Sequence, residues 1–420
     1  MNEILLYVLG ILVMVLGLAI SIGLHEFGHL IPAKIFGVKV PHWAVGFGPK
    51  LFSKKIGETE YSIRAIPLGG FITMIGMFPP AKANKPDSKR WFGKVIAQSR
   101  EAHTEHMVAG DETRTLYSKP AWQRIIIMLG GPTVNLILGL VLISTALSGV
   151  GVMTQGTKIE AVIECQEQMT YPEDTCLADS VRTPAALAGL KAGDVVLSVD
   201  GKSVDLAQPF LNAVTAKPFS THEVVVRRGA SELTLNIFPA EGKIGNEVRT
   251  YVGIRMEFIR HQLSMGESLA YGWDTAVQTF GFIGQFPQQV YSAVYATATG
   301  QPRATDSAIS VVGIGQVAGQ VASADGDGLD KVLSTLMLLG SLNLALFAFN
   351  MIPLPPLDGG HVAGGIYEYL KRGAYRLVGK KDPGPVDTAL MAPVAQFMFL
   401  VLLLAGVLMI LVDFINPITF

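Results

Sequence analysis

A polytopic α-helical membrane protein is the fold class this sequence predicts: four transmembrane helices, a membrane-associated β-hairpin region and one small β-rich domain outside the bilayer. Three observations predict it. Half of the 420 residues are hydrophobic and only 16% are charged, with a mean hydropathy of +0.40, values at odds with a soluble single-core protein. Four apolar runs, Ile4–Leu24, Ile125–Val150, Val332–Ile352 and Pro393–Val412, each approach the ~20 residues that a bilayer core demands. Between them lie short runs rich in strand-forming residues and bounded by Gly and Pro turns. The net charge of −1, with no long basic tract, leaves nucleic acid without an electrostatic footprint.

The first element, residues 1–31, is a transmembrane helix that ends in His25-Glu26-Phe27-Gly28-His29. It lacks the basic start and small-residue cleavage site of a signal peptide, so it is expected to be retained. Residues four apart on a helix share a face, which lets His25 and His29 present imidazoles to one metal ion. Glu26 stands where a general base toward a zinc-activated water is needed. HExxH is short and occurs by chance in soluble chains. Beside hydrocarbon, however, two imidazoles and a carboxylate are costly unless they coordinate something or line a wet cavity.

Residues 32–122 follow as a re-entrant β-hairpin region with a polar loop. Trp43–Pro49 and Tyr61–Ile66 read as strands, and residues 79–119 as a surface loop with an amphipathic helix. An open strand edge is useful beside a catalytic cavity, because it can pair with an unwound peptide. Gly69, Gly70 and Phe71 are the expected substrate-binding residues; an ordinary cytoplasmic hairpin is the alternative. The second span occupies 123–151.

Residues 155–245 alternate apolar and polar in short runs, as a small β-rich domain does. Cys165 and Cys176, the only cysteines, fall within it, and an exterior location favours a disulfide between them over two thiols. Residues 246–331 are expected to lie on the outer membrane surface, with one or two amphipathic helices between Ser264 and Thr299. The third span, placed at 332–360, carries Asn350-Met351-Ile352-Pro353-Leu354-Pro355-Pro356-Leu357-Asp358-Gly359-Gly360-His361, whose prolines cannot continue a helix. A catalytic zinc needs a third protein ligand, and Asp358 is the candidate; taken alone, an Asp before two glycines is more often a turn residue. A cytoplasmic loop, 361–392, and a fourth span, 393–413, complete the chain. Basic residues predominate in 32–122 and 361–392 and acidic ones in 152–330, which by the positive-inside rule puts the first two in the cytoplasm and the third outside.

HExxH on a first span, N-x2-P-x-P-x-LDGGH near the end, Gly130-Gly131-Pro132-Thr133-Val134-Asn135 opening another apolar run and Pro67-Leu68-Gly69-Gly70-Phe71 together resemble the site-2 protease family of intramembrane zinc metalloproteases, nearest its actinobacterial single-PDZ branch. Thr183–Gly201 resembles the A-x2-A-G-L-x2-G-D stretch of bacterial protease PDZ domains, which implies one extracytoplasmic PDZ domain, either a peptide reader or a size filter. The resemblance implies zinc on His25, His29 and Asp358, Glu26 as the catalytic base and Asn350 as a catalytic polar group beside the substrate backbone or the oxyanion. His361 matches the GGH ending but reads as structural, since its spacing of three from Asp358 would permit coordination only if helix resumed there. The resemblance further implies a multi-pass cell (inner) membrane enzyme in contact with lipid, and a single-span membrane protein as substrate, such as an anti-sigma factor or a pre-trimmed remnant. An upstream site-1-type protease would act on the same substrate. A membrane adaptor or metal transporter is the competing class; neither explains both Glu26 and the near absence of polar groups from the later spans.

Overall fold

The computed structural model describes residues 3–81, 90–170, 176–177, 179–217, 219–244, 247–304 and 307–418. They form two compact units, one built from Met1–Val150 with Leu263–Phe420 and the other from Gly151–Gln262.

Helix α1 (Glu3–Ile35) runs straight through the HExxH motif instead of ending at it. Pro32 lies inside it and has no N–H to give the carbonyl of Gly28 one turn earlier. A Cβ on Gly130 would overlap that same carbonyl oxygen, so α1 and α3 (Ala121–Ser144) cross backbone to backbone at glycines. Between them, β1 (His42–Ile56) and β2 (Thr59–Thr73) make the expected hairpin with an unexpected fold-back. His42–Val45 pairs on one side with Glu60–Ile63 and on the other with Gly70–Thr73. Gly70–Thr73 is thereby an edge stretch. The amphipathic helix α2 (Trp91–Thr104) follows; residues 82–89 of the predicted polar loop lie outside the described residues. Helix α3 ends in a π-helical turn, Thr145–Val150.

The second unit contains β3 (Val152–Val162), α4 (Glu167–Thr170), α5 (Pro184–Ala188), β4 (Val195–Val199), β5 (Lys202–Ser203), α6 (Ala207–Thr215), β6 (His222–Arg228), β7 (Ser231–Ile237), a separate hairpin of β8 (Ala240–Ile244) and β9 (Glu247–Tyr251), and β10 (Ile254–His261). Its sheet has the order β10-β3-β4-β6-β7, with β5 on β4. Ile159, Val196, Phe210, Val224, Val226, Ile237 and Met256 fill an all-apolar core. The Thr183 side chain caps α5, and Gly189 ends that helix at φ 76°, a left-handed conformation that a glycine adopts freely. Arg228 grips Asp194 through two hydrogen bonds of 2.7 Å, and Cys165 is disulfide-bonded to Cys176. The predicted boundaries need correction here. Residues 247–261, expected on a membrane surface, are strands of this unit, because β10 buries Met256 and pairs with β3 along its length.

The chain then forms α7 (Met265–Gly284), α8 (Phe286–Thr299), α9 (Val311–Ser323), α10 (Gly328–Asn350), α11 (Asp358–Leu377) and α12 (Ala392–Ile415). Ser264 and Glu267 form a capping box at the start of α7. Helix α9 packs on α1, where Gly319 meets the Tyr7 ring; this part of 246–331 is therefore covered by protein rather than laid on a surface. Helix α10 crosses α3 at facing glycines, Gly139 and Gly340, and is tied to α1 by Asn343, whose amide donates to Ser21 (3.0 Å). Two further boundaries change. The third span stops at Asn350, so the LDG motif opens a new helix rather than closing the old one. Residues 361–377, expected as loop, are helical because Val362, Gly365 and Glu368 recur on one buried face. Within the described residues, α1, Ala121–Val150, α10 and Thr388–Ile415 are each long and apolar enough to cross a membrane.

Candidate metal centre

His25 and His29 project from one face of α1, and Asp358 opens α11. The structure brings the three together: His25 Nε2 and His29 Nε2 are 3.2 Å apart, and each is 3.3 Å from Asp358 Oδ2. Ligand atoms at zinc bond length in a tetrahedral shell stand about 3.3 Å from one another, so this triangle fits that ion with one position left open. Two further observations favour a cation. Asp358 Oδ2 is buried without a hydrogen-bond partner of its own, and His29 Nδ1 donates to the carbonyl of Ile127 (2.8 Å), which leaves Nε2 bare to ligate. Among the described residues these are the His, Cys, Asp and Glu side chains grouped closely enough to hold a metal ion.

Local sequence explains how Asp358 arrives there. Helix α10 ends at Asn350, and the proline-rich turn brings the chain back across its own backbone. A Cβ on Gly359 would come within 2.6 Å of the Met351 carbonyl carbon, and one on Gly360 within 2.7 Å of that of Leu354. Both positions exclude side chains. Gly131 plays the matching part on α3, since a Cβ there would stand 2.7 Å from His25 Nε2.

Glu26 is buried and lines two neighbouring spaces. One, of about 330 Å³, also holds His25, His29, Asp358, Phe71 and His361. The other, of about 820 Å³, is an apolar cleft bounded by α1, α9, α10 and α12, and reaches Gly69, Gly70, Asn135 and Asn350. Gly70 sits against α1 so closely that a Cβ on it would lie 3.0 Å from Glu26 Cγ. All the residues expected at the site therefore share its walls, apart from the disulfide pair Cys165 and Cys176, which belongs to the other unit. Asn350 faces both spaces, its amide donating to Leu346 O (3.0 Å). Helix does resume at Asp358, which puts His361 one turn along; it lines the smaller space without joining the three close ligand atoms. The sequence pattern alone gives Asn135 and Gly131 no role. A carboxamide within an apolar span was the available signal for the first.

The family model for peptidase family M50 matches residues 13–381. Zinc metalloprotease Rip1 of Mycobacterium tuberculosis is 31% identical over 435 residues, covering 98% of this chain and 99% of that protein. Zinc metalloprotease RasP of Bacillus licheniformis is 28% identical over 390 residues, covering 80% and 85%. A solved PDZ domain of an SdrC-like protein from Listeria monocytogenes covers 25% of this chain at 18% identity, with a TM-score of 0.17.

Proposed function

Because the chain belongs to peptidase family M50, the site-2 protease family, and is a zinc metalloprotease of the membrane, we propose that it is an intramembrane endopeptidase with zinc on His25, His29 and Asp358 and Glu26 as its base. The observation that carries this reading is the triangle of ligand atoms with 3.2–3.3 Å sides, next to a buried carboxylate at the head of an apolar cleft. Zinc bound there supplies a water of lowered pKa and an electrophile for the substrate carbonyl. The Glu26 carboxylate accepts the proton released by the attacking water and hands it to the leaving amine. Asn350, on the same wall, stands ready to hydrogen-bond the developing oxyanion or the neighbouring substrate backbone.

The substrate is the transmembrane segment of a single-span protein, an anti-sigma factor or a remnant already trimmed by a site-1-type protease. A helical segment hides its amides and has to unwind before hydrolysis. The free edge of Gly70–Thr73 supports a way to hold it, as an added strand whose backbone pairs beside Gly69, Gly70 and Phe71. The Gly151–Gln262 unit is the PDZ domain and faces outward, as the acidic excess of residues 152–330 supports, with the enzyme in the cell (inner) membrane.

The test is Glu26→Gln. This variant retains zinc and loses cleavage by roughly 1000-fold or more, whereas His25→Ala loses both. Membranes carrying the Glu26→Gln form accumulate uncut single-span fragments, read by mass spectrometry. Normal proteolysis by that variant sinks the assignment.

A further inference from the structure

Asn135 sits one helical turn beyond Gly131 on α3, on the face that Gly131 presses against the two imidazoles. It is 1% exposed and its side-chain oxygen has no hydrogen-bond partner. An unsatisfied carboxamide oxygen inside an apolar cleft is destabilising, and few survive in folded proteins without a reason. This one forms part of the cleft wall together with His25, Glu26, Gly70 and Asn350.

A peptide held in extended form next to Gly70–Thr73 uses only one of its two edges. Successive residues turn their N–H and C=O groups to opposite sides, so the second edge confronts the remaining wall of the cleft. That wall is chiefly apolar, from Leu18, Ile22, Val311 and Leu346 among others; of its other carboxamides, Asn350 is assigned above to the oxyanion or the substrate backbone beside it, and Gln316 donates to Asp413 O. A substrate N–H pointing that way would lose its hydrogen bond to water and gain nothing, unless an acceptor awaits it.

The geometry points to Asn135 as that acceptor, a substrate-binding residue that takes a hydrogen bond from a backbone N–H on the far edge of the unwound peptide near the scissile bond. This presupposes the protease function proposed above. It assigns to α3 a part in substrate recognition, so that the peptide is satisfied on both edges, by a strand on one and a single carboxamide on the other. The chemistry demanded of the substrate is a free amide hydrogen at one fixed register from the cut, whatever the side chains.

The experiment uses the full-length protein in lipid with a single-span peptide in which backbone amides around the cleavage site are replaced one at a time by esters. Asn135→Leu, of similar volume, retains zinc content and thermal stability but cleaves the all-amide peptide roughly 10- to 100-fold more slowly. One ester position slows the unaltered enzyme and adds nothing in Asn135→Leu, the non-additivity expected of two partners in one bond. Independent, multiplying effects at every ester position, or full activity in Asn135→Leu, overturn the proposal. Should Asn135→Leu lose zinc or unfold, Asn135→Cys in a Glu26→Gln background decides the matter. No free cysteine is present among the described residues, so a disulfide to single-cysteine peptides should form only next to the scissile bond. Cross-links absent or confined elsewhere overturn it. Cleavage by Glu26→Gln itself would instead refute the protease function, a separate outcome.

Discussion

The two units bury opposite kinds of chemistry. In Gly151–Gln262 the core is apolar throughout, and the buried ionisable Asp194 and His222 are each paired with a partner nearer solvent, Arg228 and Asp200. In the other unit, polar side chains lie deep among hydrocarbon: Ser21, Glu26, His29, Asn135, Asn343, and the ion pair of Arg303 with Asp413 (2.6 Å). Several of these find partners locally: the Asn343 amide donates to Ser21 and to Leu339 O, although its oxygen accepts from no partner, and Asp413 accepts from Arg303 and the N–H of Ser310. Three of that unit's unpartnered buried atoms, Asp358 Oδ2, His25 Nδ1 and Asn135 Oδ1, belong to residues that line the two spaces beside Glu26. The difference teaches where to look for function. Among the described residues, Gly151–Gln262 leaves no buried side-chain polar atom without a partner, whereas the other unit leaves several, three of them beside the candidate metal centre.

The contrast can be broken most severely by Asp358→Ala. Zinc affinity should fall by more than roughly 100-fold, the most that losing an outer-shell partner costs, while the unfolding of Gly151–Gln262 is unchanged; competition with a chelator and calorimetry read the two. Phe210→Ala is the reverse experiment. It hollows the apolar core at a cost of about 4 kcal/mol and should leave bound zinc in place, so loss of metal would show that the two units are not separable. Gly131→Ala tests the packing of α3 on the ligands: its Cβ displaces the imidazoles, and zinc binding weakens roughly 10-fold with little change in overall stability. The smallest effect is on acid stability. Hydrogen bonds from Arg228 hold the Asp194 carboxyl below the usual carboxylate range. A depressed value stabilises the fold above the ordinary pKa and is lost as pH falls through the folded one. Unfolding of Gly151–Gln262 should therefore ease below about pH 4, and Asp194→Asn, less stable at neutral pH, should show a shallower fall.

What could be read from residues alone followed the strength of each physical constraint. HExxH puts two imidazoles on one helix face whatever surrounds them, and bilayer thickness limits span length; the helix and the four apolar spans stand close to where the residues put them. Helix α11 was hidden because Gly359, Gly360, Gly364 and Gly365 depress helix propensity. Packing reverses that preference, since a Cβ on Gly365 would crowd Ile125. Strand β10 was hidden because its partner, β3, lies about ninety residues earlier, and nothing local announces a pairing that distant. The fold-back of β2 around His42–Val45 was equally unreadable, as it depends on register rather than composition.

One consequence of the split ligand set concerns the order of synthesis. His25 and His29 are made before Asp358, which follows only after two further spans and all of Gly151–Gln262. A chain synthesised only as far as Gly151–Gln262 thus carries two imidazoles and no third donor, so that the capacity to cut its neighbours arrives only once Asp358 has been added. Reading the final ligand so late works as an inbuilt safety catch for a hydrolase assembled among potential victims.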